Sequence, residues 1–247
     1  MTTLSLSSQH RKFAIVFDID DTLYLERDFV FSGYRAVSSA VASKYGFFIY
    51  DRLIESFLAG QRGDLFTPVL NEKMDDVRED FVKELVKIYR SHVPDIKPFD
   101  GIPELLKKIG AYCKLAIISD GFLEVQKRKL GALKIADRFN HIAFTDQWGH
   151  EFWKPHPRGY EDCSASLGIE PESMIYIGDN PEKDFIGARN AGLKCIRLRV
   201  KHGLHYDKEA EGSFAPDTEV NSVKELHTVI AIELGMSRNE NGSFKTC

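Results

Sequence analysis

Residues 13–23 read FAIVFDIDDTL, an apolar run that ends in three carboxylates, Asp18, Asp20 and Asp21. The apolar part predicts a buried β-strand, which places the three acidic side chains together at its tip. Like charges at 4 Å repel by about 4 kcal/mol at an effective dielectric constant near 20, so the cluster needs a compensating charge. A bound cation is one candidate; for the stretch taken alone, a solvated acidic turn is the alternative.

Composition sets the broad class of the protein. The 247 residues are 43% apolar and 11% aromatic, which predicts a globular protein of one large or two smaller domains. The net charge of −4, with mixed signs along the chain, gives no basic stripe for nucleic acid. No apolar run reaches the roughly 20 residues that span a membrane, and residues 1–12 lack the pattern of a signal peptide. We therefore expect a cytoplasmic protein with neither a nucleic acid nor a membrane as its partner.

The cysteines carry no metal or disulfide pattern. Cys113, Cys163, Cys195 and Cys247 are far apart and form no CxxC pair. This spacing argues against a zinc site and against a disulfide framework, so the four are expected to be free thiols. Nothing in the sequence fixes the oligomeric state.

Short apolar runs alternate with helical patterns over most of the chain. Continuous apolar strands that alternate with helices indicate an α/β fold with a doubly wound parallel sheet, covered by helices on both faces. Strands are predicted at 13–17, 115–119, 141–145, 174–178 and 195–199, and helices from about residue 102 to 109 and at 122–131, 157–168, 181–191 and 222–234.

One segment interrupts that alternation. Residues 25–97 carry helical patterns at 33–45, 51–59 and 75–90 without a convincing strand. The sequence therefore predicts a helical cap domain at 25–97 inserted into a core domain formed by 1–24 and 98–247. Within the cap, Arg62 is one candidate to contact an anionic substrate, although an ordinary exposed arginine is the alternative.

Four polar motifs fall at strand ends or just before a helix: DIDDT at 18–22, SDG at 119–121, KPHP at 154–157 and GDNPEKD at 178–184. Ligands of open parallel sheets bind beyond the carboxyl ends of the strands, so these motifs are expected to converge on one site.

The residue types in these motifs suit a metal and a phosphate. Asp18 and Asp20 are spaced to lie on the same side of an extended segment, and Asp179 follows its own strand. Carboxylate oxygens of this kind suit Mg²⁺, which also accepts phosphate and water. The hydroxyl of Ser119, the backbone N–H groups of Asp120 and Gly121, and the ammonium of Lys154 are all suited to hold phosphate oxygens.

The ordered motifs resemble those of the haloacid dehalogenase superfamily of phosphohydrolases, which read DxDx[TV], then Ser or Thr, then Lys, then GDxxxxD. All four occur in that order between residues 18 and 184, and the helical insertion is similar to the small-cap subgroup. The resemblance implies a Rossmann-like core with an inserted helical cap. It also implies a Mg²⁺-dependent phosphatase that acts on a small phosphorylated metabolite.

The resemblance also implies roles for single residues. Asp18 would be the nucleophile that becomes an aspartyl phosphate, and Asp20 would protonate the leaving oxygen and then deprotonate the attacking water. Thr22 would orient this loop and, with the 119–121 motif and Lys154, bind the substrate. A proton donor at position 20 favours phosphate esters over haloacids, because a halide leaves without a proton.

The implied metal ligands are a carboxylate oxygen of Asp18, the main-chain carbonyl of Asp20, and Asp179. Asp184 would act directly, through water, or by positioning Lys154. Asp21 stands where the family often has glycine, and we interpret it as a structural turn residue. His156 could contact the leaving group, although a loop histidine is more often only solvated. The aromatic residues Trp148, Phe152 and Trp153 could line the site, although packing beneath loops is their more ordinary role.

The leading hypothesis is a phosphatase for a sugar phosphate or a nucleoside monophosphate. A phosphomutase of the same family would use the same aspartyl phosphate but return the phosphoryl group to a sugar. A phospho-accepting receiver module also combines a phosphorylated aspartate with Ser or Thr and Lys. It is about half this length, however, and lacks a helical lid.

Overall fold

A six-stranded parallel sheet forms the centre of the chain. The structure, a computed structural model, describes residues 12–238 and 244–246. The strands are β1 Ala14–Phe17, β2 Lys114–Ser119, β3 His141–Phe144, β4 Met174–Gly178, β5 Lys194–Leu198 and β6 Thr218–Val220, in the spatial order β3-β2-β1-β4-β5-β6. The predicted α/β fold with a doubly wound parallel sheet is confirmed, and five strands lie within one residue of their predicted ends. The sixth, β6, has only three residues and was not predicted, because so short a run carries no periodic signal.

Nine helices lie within the described residues: α1 Glu26–Tyr45, α2 Tyr50–Leu58, α3 Phe66–Asn71, α4 Glu79–Ser91, α5 Ile102–Ile109, α6 Leu123–Leu133, α7 Arg158–Leu167, α8 Asp184–Asn190 and α9 Val223–Glu233. Two short strands, β7 Met236–Arg238 and β8 Phe244–Thr246, pair in antiparallel orientation. None of the described helices is long and apolar enough to cross a membrane. The prediction for the N-terminal stretch concerns residues 1–12, of which only Lys12 is described.

The register of β1 determines where the site forms. Phe17 stands opposite Ile117 of β2 on one side and opposite Ile177 of β4 on the other. The order of the strands reverses between β1 and β4, and a parallel sheet has its ligand crevice at this switch point, beyond the carboxyl ends. Asp18, which directly follows β1, therefore lies at that point.

The core explains why the strands read as unbroken apolar runs. Every residue of β1 and of β4 is buried, as expected for a parallel sheet covered on both faces. Cys113, Cys163 and Cys195 are buried free thiols, and burial raises the pKa of Cys113 to about 12. Cys247 lies outside the described residues.

Residues 27–96 form a second compact unit, and residues 12–26 with 97 onward form the first. The second unit is held by an aromatic cluster in which the rings of Tyr34 and Phe66 stand edge to face, with centroids 6.2 Å apart. Tyr89 packs on both rings. Gly33 allows this approach, because an added Cβ would lie 2.5 Å from the ring of Tyr89.

Three helix boundaries differ from the sequence-based expectations. Helix α8 begins at Asp184 and not at residue 181, because Asn180 turns the chain first: its side chain accepts the Glu182 N–H at 2.9 Å. Helix α4 begins at Glu79, four residues later than predicted, so that Glu79 and Asp80 occupy its favourable first turn. Helix α1 begins seven residues earlier than predicted, at Glu26, whose N–H donates to Asp21.

Candidate active site

Asp18 is held at the end of β1 by the sheet and by a lysine. Its backbone N–H donates to the carbonyl of Ile177 at 2.8 Å, which continues the pairing with β4. Its side chain is 7% exposed, and its Oδ1 lies 2.9 Å from Nζ of Lys154. Burial raises the pKa of Asp18 to about 6, while Lys154 opposes that rise. At neutral pH this carboxylate is therefore ionised and accessible from one side only.

Lys154 links the KPHP motif to the GDNPEKD motif. Its Nζ lies 2.8 Å from Oδ1 of Asp184 and 2.8 Å from the hydroxyl of Tyr176, which itself donates to Asp184 at 3.0 Å. Burial works against the ammonium, but Asp18 and Asp184 outweigh it and hold the pKa of Lys154 well above its usual value. The same contacts lower the pKa of Asp184 in spite of its burial. The structure thus makes Asp184 a partner of Lys154.

Three buried carboxylates form one cluster. One oxygen from each of Asp18, Asp179 and Asp184 lies within 4.8 Å of the other two. Burial and the charges of Asp184 and Asp21 raise the pKa of Asp179 well above its usual range. Three carboxylates beside the single ammonium of Lys154 leave a formal excess of two negative charges. The donor set, all oxygen, and the excess charge fit a hard divalent cation.

Gly178 is required for this cluster. A Cβ at this position would lie 2.4 Å from Oδ2 of Asp184. That oxygen accepts the backbone N–H of Asn180 at 2.9 Å, so a shift of the carboxylate away from position 178 would break this hydrogen bond. A side chain at position 178 would therefore push Asp184 off Lys154.

The 119–121 segment lies at the end of β2, next to β1. The hydroxyls of Ser119 and Thr22 are buried and have no hydrogen-bond partner within the described part of the chain. A buried hydroxyl without a partner is costly, so these two unsatisfied hydroxyls, one in each of the first two motifs, are candidates to bind a polar ligand. Gly121 has φ of 110°, and a Cβ there would lie 2.6 Å from the amide of Gln126.

The side chain of Asp120 organises the segment that carries Lys154. Its Oδ1 accepts the hydroxyl of Thr145 at 2.8 Å and the backbone N–H of Lys154 at 3.0 Å. Its Oδ2 accepts from Nζ of Lys183 at 2.9 Å. The sequence indicated only the backbone N–H of Asp120; its carboxylate joins three of the motifs. The Lys154–Pro155 peptide bond is cis.

Asp20 points into a different environment from Asp18. Both of its carboxylate oxygens accept from Nζ of Lys129, at 2.7 and 2.8 Å, and the hydroxyl of Tyr24 donates to one of them. Gln126 donates to the other at 3.1 Å. Burial favours the neutral acid, yet Lys129 outweighs it and lowers the pKa of Asp20.

Asp21 joins two loops. It has φ of 49°, in the left-handed region, and it is buried. Its oxygens accept the backbone N–H groups of Glu26 at 2.8 Å and Leu204 at 2.6 Å. Asp tolerates this backbone conformation and caps N–H groups, which is the physical basis of the structural role.

Several residues of the site were not found from the sequence: Lys129, Gln126, Lys183 and Arg197, together with Tyr24, Thr145 and Tyr176. Arg197 on β5 is fully buried and donates to the carbonyl of Asp179 at 3.1 Å and to that of His205 at 2.7 Å. A charged residue inside an apolar strand was the available signal for Arg197. Lys183 directly precedes Asp184 in the fourth motif.

The aromatic residues between β3 and α7 contact polar and charged neighbours, and Trp153 also packs edge to face on Phe122, with ring centroids 6.5 Å apart. Nε1 of Trp153 donates to Asp146 at 3.2 Å, and the ring of Phe152 lies 4.9 Å from that of His156. The guanidinium of Arg158 lies 5.0 Å from the ring of Trp148. These contacts match the packing role that the sequence left open.

Comparison with known proteins gives a consistent picture. Residues 15–198 match the family described as haloacid dehalogenase-like hydrolase. The glyceraldehyde 3-phosphate phosphatase of Methanopyrus kandleri is 26% identical over 243 residues, 88% of this chain and 96% of that protein. All four motifs lie within residues 15–198, the part of the chain that matches the family.

Two solved structures share the fold. A hydrolase of the same family from Bacillus subtilis, solved with bound magnesium, superposes with a TM-score of 0.62 at 17% identity and covers 89% of this chain and 99% of that one. A Thermotoga maritima protein assigned as a β-phosphoglucomutase gives a TM-score of 0.65 at 22% identity, over 88% and 98% of the two chains.

Proposed function

This chain belongs to the haloacid dehalogenase-like hydrolases, and we propose that it is a Mg²⁺-dependent phosphatase that hydrolyses a small phosphomonoester through an aspartyl-phosphate intermediate. One observation carries the proposal. Asp18 is buried, stands 2.9 Å from Lys154 and belongs to a cluster of three carboxylates, one oxygen of each lying within 4.8 Å of the others. The similarity to a phosphatase over most of both chains supports the same reaction class.

Asp18 supplies the nucleophile. One of its oxygens attacks phosphorus while the bond from phosphorus to the ester oxygen breaks. Asp20, which has to take up a proton before this step because Lys129 lowers its pKa in the free protein, gives that oxygen its proton. A water molecule then attacks the aspartyl phosphate, Asp20 takes the proton of the water, and Asp18 is released with inorganic phosphate. Lys154, Ser119 and the backbone N–H groups of the 119–121 segment stabilise the charge on the phosphate oxygens.

The metal would be held by Asp18, Asp179 and the main-chain carbonyl of Asp20. Such a site would supply Mg²⁺ chemistry, in which the ion would neutralise the excess carboxylate charge and would polarise a phosphate oxygen. Asp184 contacts Lys154 directly, which favours a positioning role for it over direct ligation.

We also propose that the helical unit, residues 27–96, is the cap that selects the leaving group of the substrate, a sugar phosphate or a nucleoside monophosphate. The exposed turn around Arg62, whose Nη1 donates to the carbonyl of Phe57 at 2.9 Å, is a place to test this. Arg62→Ala is expected to change the ranking of phosphorylated metabolites and to leave p-nitrophenyl phosphate hydrolysis within about threefold. Equal losses on every substrate would assign the turn a role in stability alone.

The deciding experiment incubates the purified protein with a panel of phosphorylated metabolites and Mg²⁺ and measures released phosphate. Wild-type protein should release phosphate, EDTA should abolish the release, and Asp18→Asn prepared in parallel should show none. Wild-type protein that releases no phosphate from any of them would contradict the proposal.

A phosphomutase is the second candidate, and the fold shared with the Thermotoga protein favours keeping it. Its products would be isomerised sugar phosphates in place of inorganic phosphate. The receiver reading is disfavoured, because receiver modules have the strand order 2-1-3-4-5 and this sheet has the order 3-2-1-4-5-6.

A further inference from the structure

We propose that Lys129 of α6 is a positioning residue that fixes the orientation of the Asp20 carboxylate for proton transfer. The proposal rests on the proposed function, since it gives Asp20 the role of the acid and base. Lys129 lies 109 residues from Asp20 in sequence and in none of the four motifs.

The geometry of the pair is specific. Nζ of Lys129 lies 2.7 Å from Oδ1 and 2.8 Å from Oδ2 of Asp20, so it bridges the two oxygens of the carboxylate. The side chain of Lys129 is 4% exposed and that of Asp20 is 18% exposed. A lysine buried to this extent on a helix is rare unless it is paired, so this pair is a built feature and not a surface contact.

Two more side chains donate hydrogen bonds to the Asp20 carboxylate. The hydroxyl of Tyr24 donates to Oδ1, and Nε2 of Gln126 donates to Oδ2 at 3.1 Å and to the carbonyl of Asp120 at 2.7 Å. Gln126 and Lys129 are three residues apart on α6 and therefore lie on one face of that helix. Helix α6 starts at Leu123, directly after the 119–121 segment. It thus ties the orientation of the acid to the segment that would bind the phosphate.

This arrangement has a chemical consequence. Proton transfer requires the carboxyl oxygen to stand within hydrogen-bond reach of the leaving oxygen, and a small misplacement costs much of the rate. Contact of one ammonium with both oxygens restricts rotation of the Asp20 carboxylate about its Cβ–Cγ bond. Without Lys129 the carboxylate keeps only Tyr24 and Gln126 among these donors and can rotate. The loss should then depend on how much the leaving group needs a proton.

The experiment compares Lys129→Met with wild type on an alkyl phosphate and on p-nitrophenyl phosphate, in kcat/KM. The expected loss is about 50-fold or more for the alkyl phosphate and less than about fivefold for p-nitrophenyl phosphate, whose leaving group needs little protonation. Lys127→Met is the matched control. Lys127 lies on the same helix with its side chain 50% exposed and pairs with Glu124, so both rates should stay unchanged.

A double-mutant cycle separates positioning from a structural role. In an Asp20→Asn background, Lys129→Met should cost less than about twofold on either substrate, because the group that it positions is gone. Equal losses on the two substrates, or a loss that persists in the Asp20→Asn background, would overturn the proposal.

Failure of the proposed function would show differently. Wild-type protein that releases no phosphate from any substrate would refute the phosphatase, and crystal structures would then decide the role of Lys129. The proposal expects the Asp20 carboxylate to change its orientation in Lys129→Met and to keep it in Lys127→Met. A carboxylate that holds its orientation without Lys129 would refute the positioning role whatever the activity.

Discussion

Asp18 and Asp20 are two residues apart and occupy opposite electrostatic environments. Burial raises the pKa of Asp18 to about 6, whereas Lys129 outweighs burial and lowers the pKa of Asp20. At the scale of single residues, the site therefore differs from a solvated acidic turn, in which both carboxylates would titrate alike.

Replacing Asp18 with Asn tests the nucleophile. The amide is almost isosteric with the carboxylate but a poor nucleophile, so turnover should fall below about a thousandth of wild type. The thermal unfolding midpoint without metal should not fall, because one charge of a crowded cluster has been removed. Asp137→Asn is the control, since that side chain is 72% exposed, and it should leave both measurements unchanged. Residual activity well above that limit would assign the attack to another group.

Replacing Lys154 with Ala tests the charge balance. The change leaves Asp18 and Asp184 without the ammonium that contacts both, and breaking a buried ion pair costs about 3–5 kcal/mol of unfolding free energy. Denaturant unfolding in EDTA measures the loss, and phosphate release should fall by about 100-fold or more. Lys107→Ala on the exposed side of α5 is the control. An unchanged free energy of unfolding would mean that the pair contributes nothing to the fold.

At the scale of elements, three of the six strands deliver part of the site at their carboxyl ends. β1 is followed by Asp18, β2 ends in Ser119 and β4 is followed by Asp179, within one residue of the same level because the strands are parallel and Phe17 pairs with Ile117 and Ile177. β5 contributes from inside the sheet. The guanidinium of Arg197 binds the carbonyls of Asp179 and His205, and thereby fixes the backbone on which Asp179 stands.

Replacing Arg197 with Met tests that support. Groups that hold metal ligands in place typically change metal affinity by about 10–100-fold, so the affinity for Mg²⁺ should fall by at least about tenfold. Calorimetric titration of the purified protein measures it without reference to turnover. Arg189→Met is the control: its guanidinium donates to the carbonyl of Ala215 at 2.7 Å and pairs with Asp217 at a partly exposed position. Equal affinities in wild type and Arg197→Met would confine Arg197 to the fold.

At the scale of the whole molecule, the acidic cluster links stability to pH and to metal. The folded-state pKa of Asp18 is raised from 3.8 to about 6 by burial, and burial also raises that of Asp179 above its usual range. At pH values between the ordinary pKa of 3.8 and the raised folded-state pKa, the folded protein binds more protons than the unfolded chain. The stability that these two groups contribute is full below about pH 4 and is lost as the pH rises through their folded-state pKa values.

The metal-free protein should therefore become less stable from about pH 4 to about pH 7, where the paired Asp20 and Asp184 are already ionised. One pKa unit corresponds to about 1.4 kcal/mol, so Asp18 contributes a loss of up to about 3 kcal/mol. Mg²⁺ should reverse the trend, because it binds the ionised carboxylates and stabilises the fold more as the pH rises. Unfolding midpoints in EDTA and in Mg²⁺ across this range measure both effects. Asp179→Asn should flatten the two curves, and an EDTA midpoint that rises with pH would contradict the linkage.

The sequence by itself determined the sheet and the motifs. Strands of a parallel sheet that is covered on both faces are apolar along their whole length, so β1, β2 and β4 could be predicted from unbroken apolar runs. Each motif could be located in the same way, because it follows a predicted strand or precedes a predicted helix. Helix boundaries were less certain, as α8 shows, because a turn held by the side chain of Asn180 interrupts a helical pattern.

Only the tertiary structure decided the partners of the charged residues. Lys129 reads as one of several basic residues on an amphipathic helix, and Arg197 as one charge within a strand. The periodicity of a helix or strand predicts on which side of that element a residue lies. It does not predict which distant residue it will contact, as with Lys129 and Asp20, which are 109 residues apart. The pairing of Lys129 with Asp20 follows from the position of α6, and that of Lys154 with Asp184 from the course of the loop between β3 and α7. These pairings lower the pKa of both carboxylates in spite of their burial.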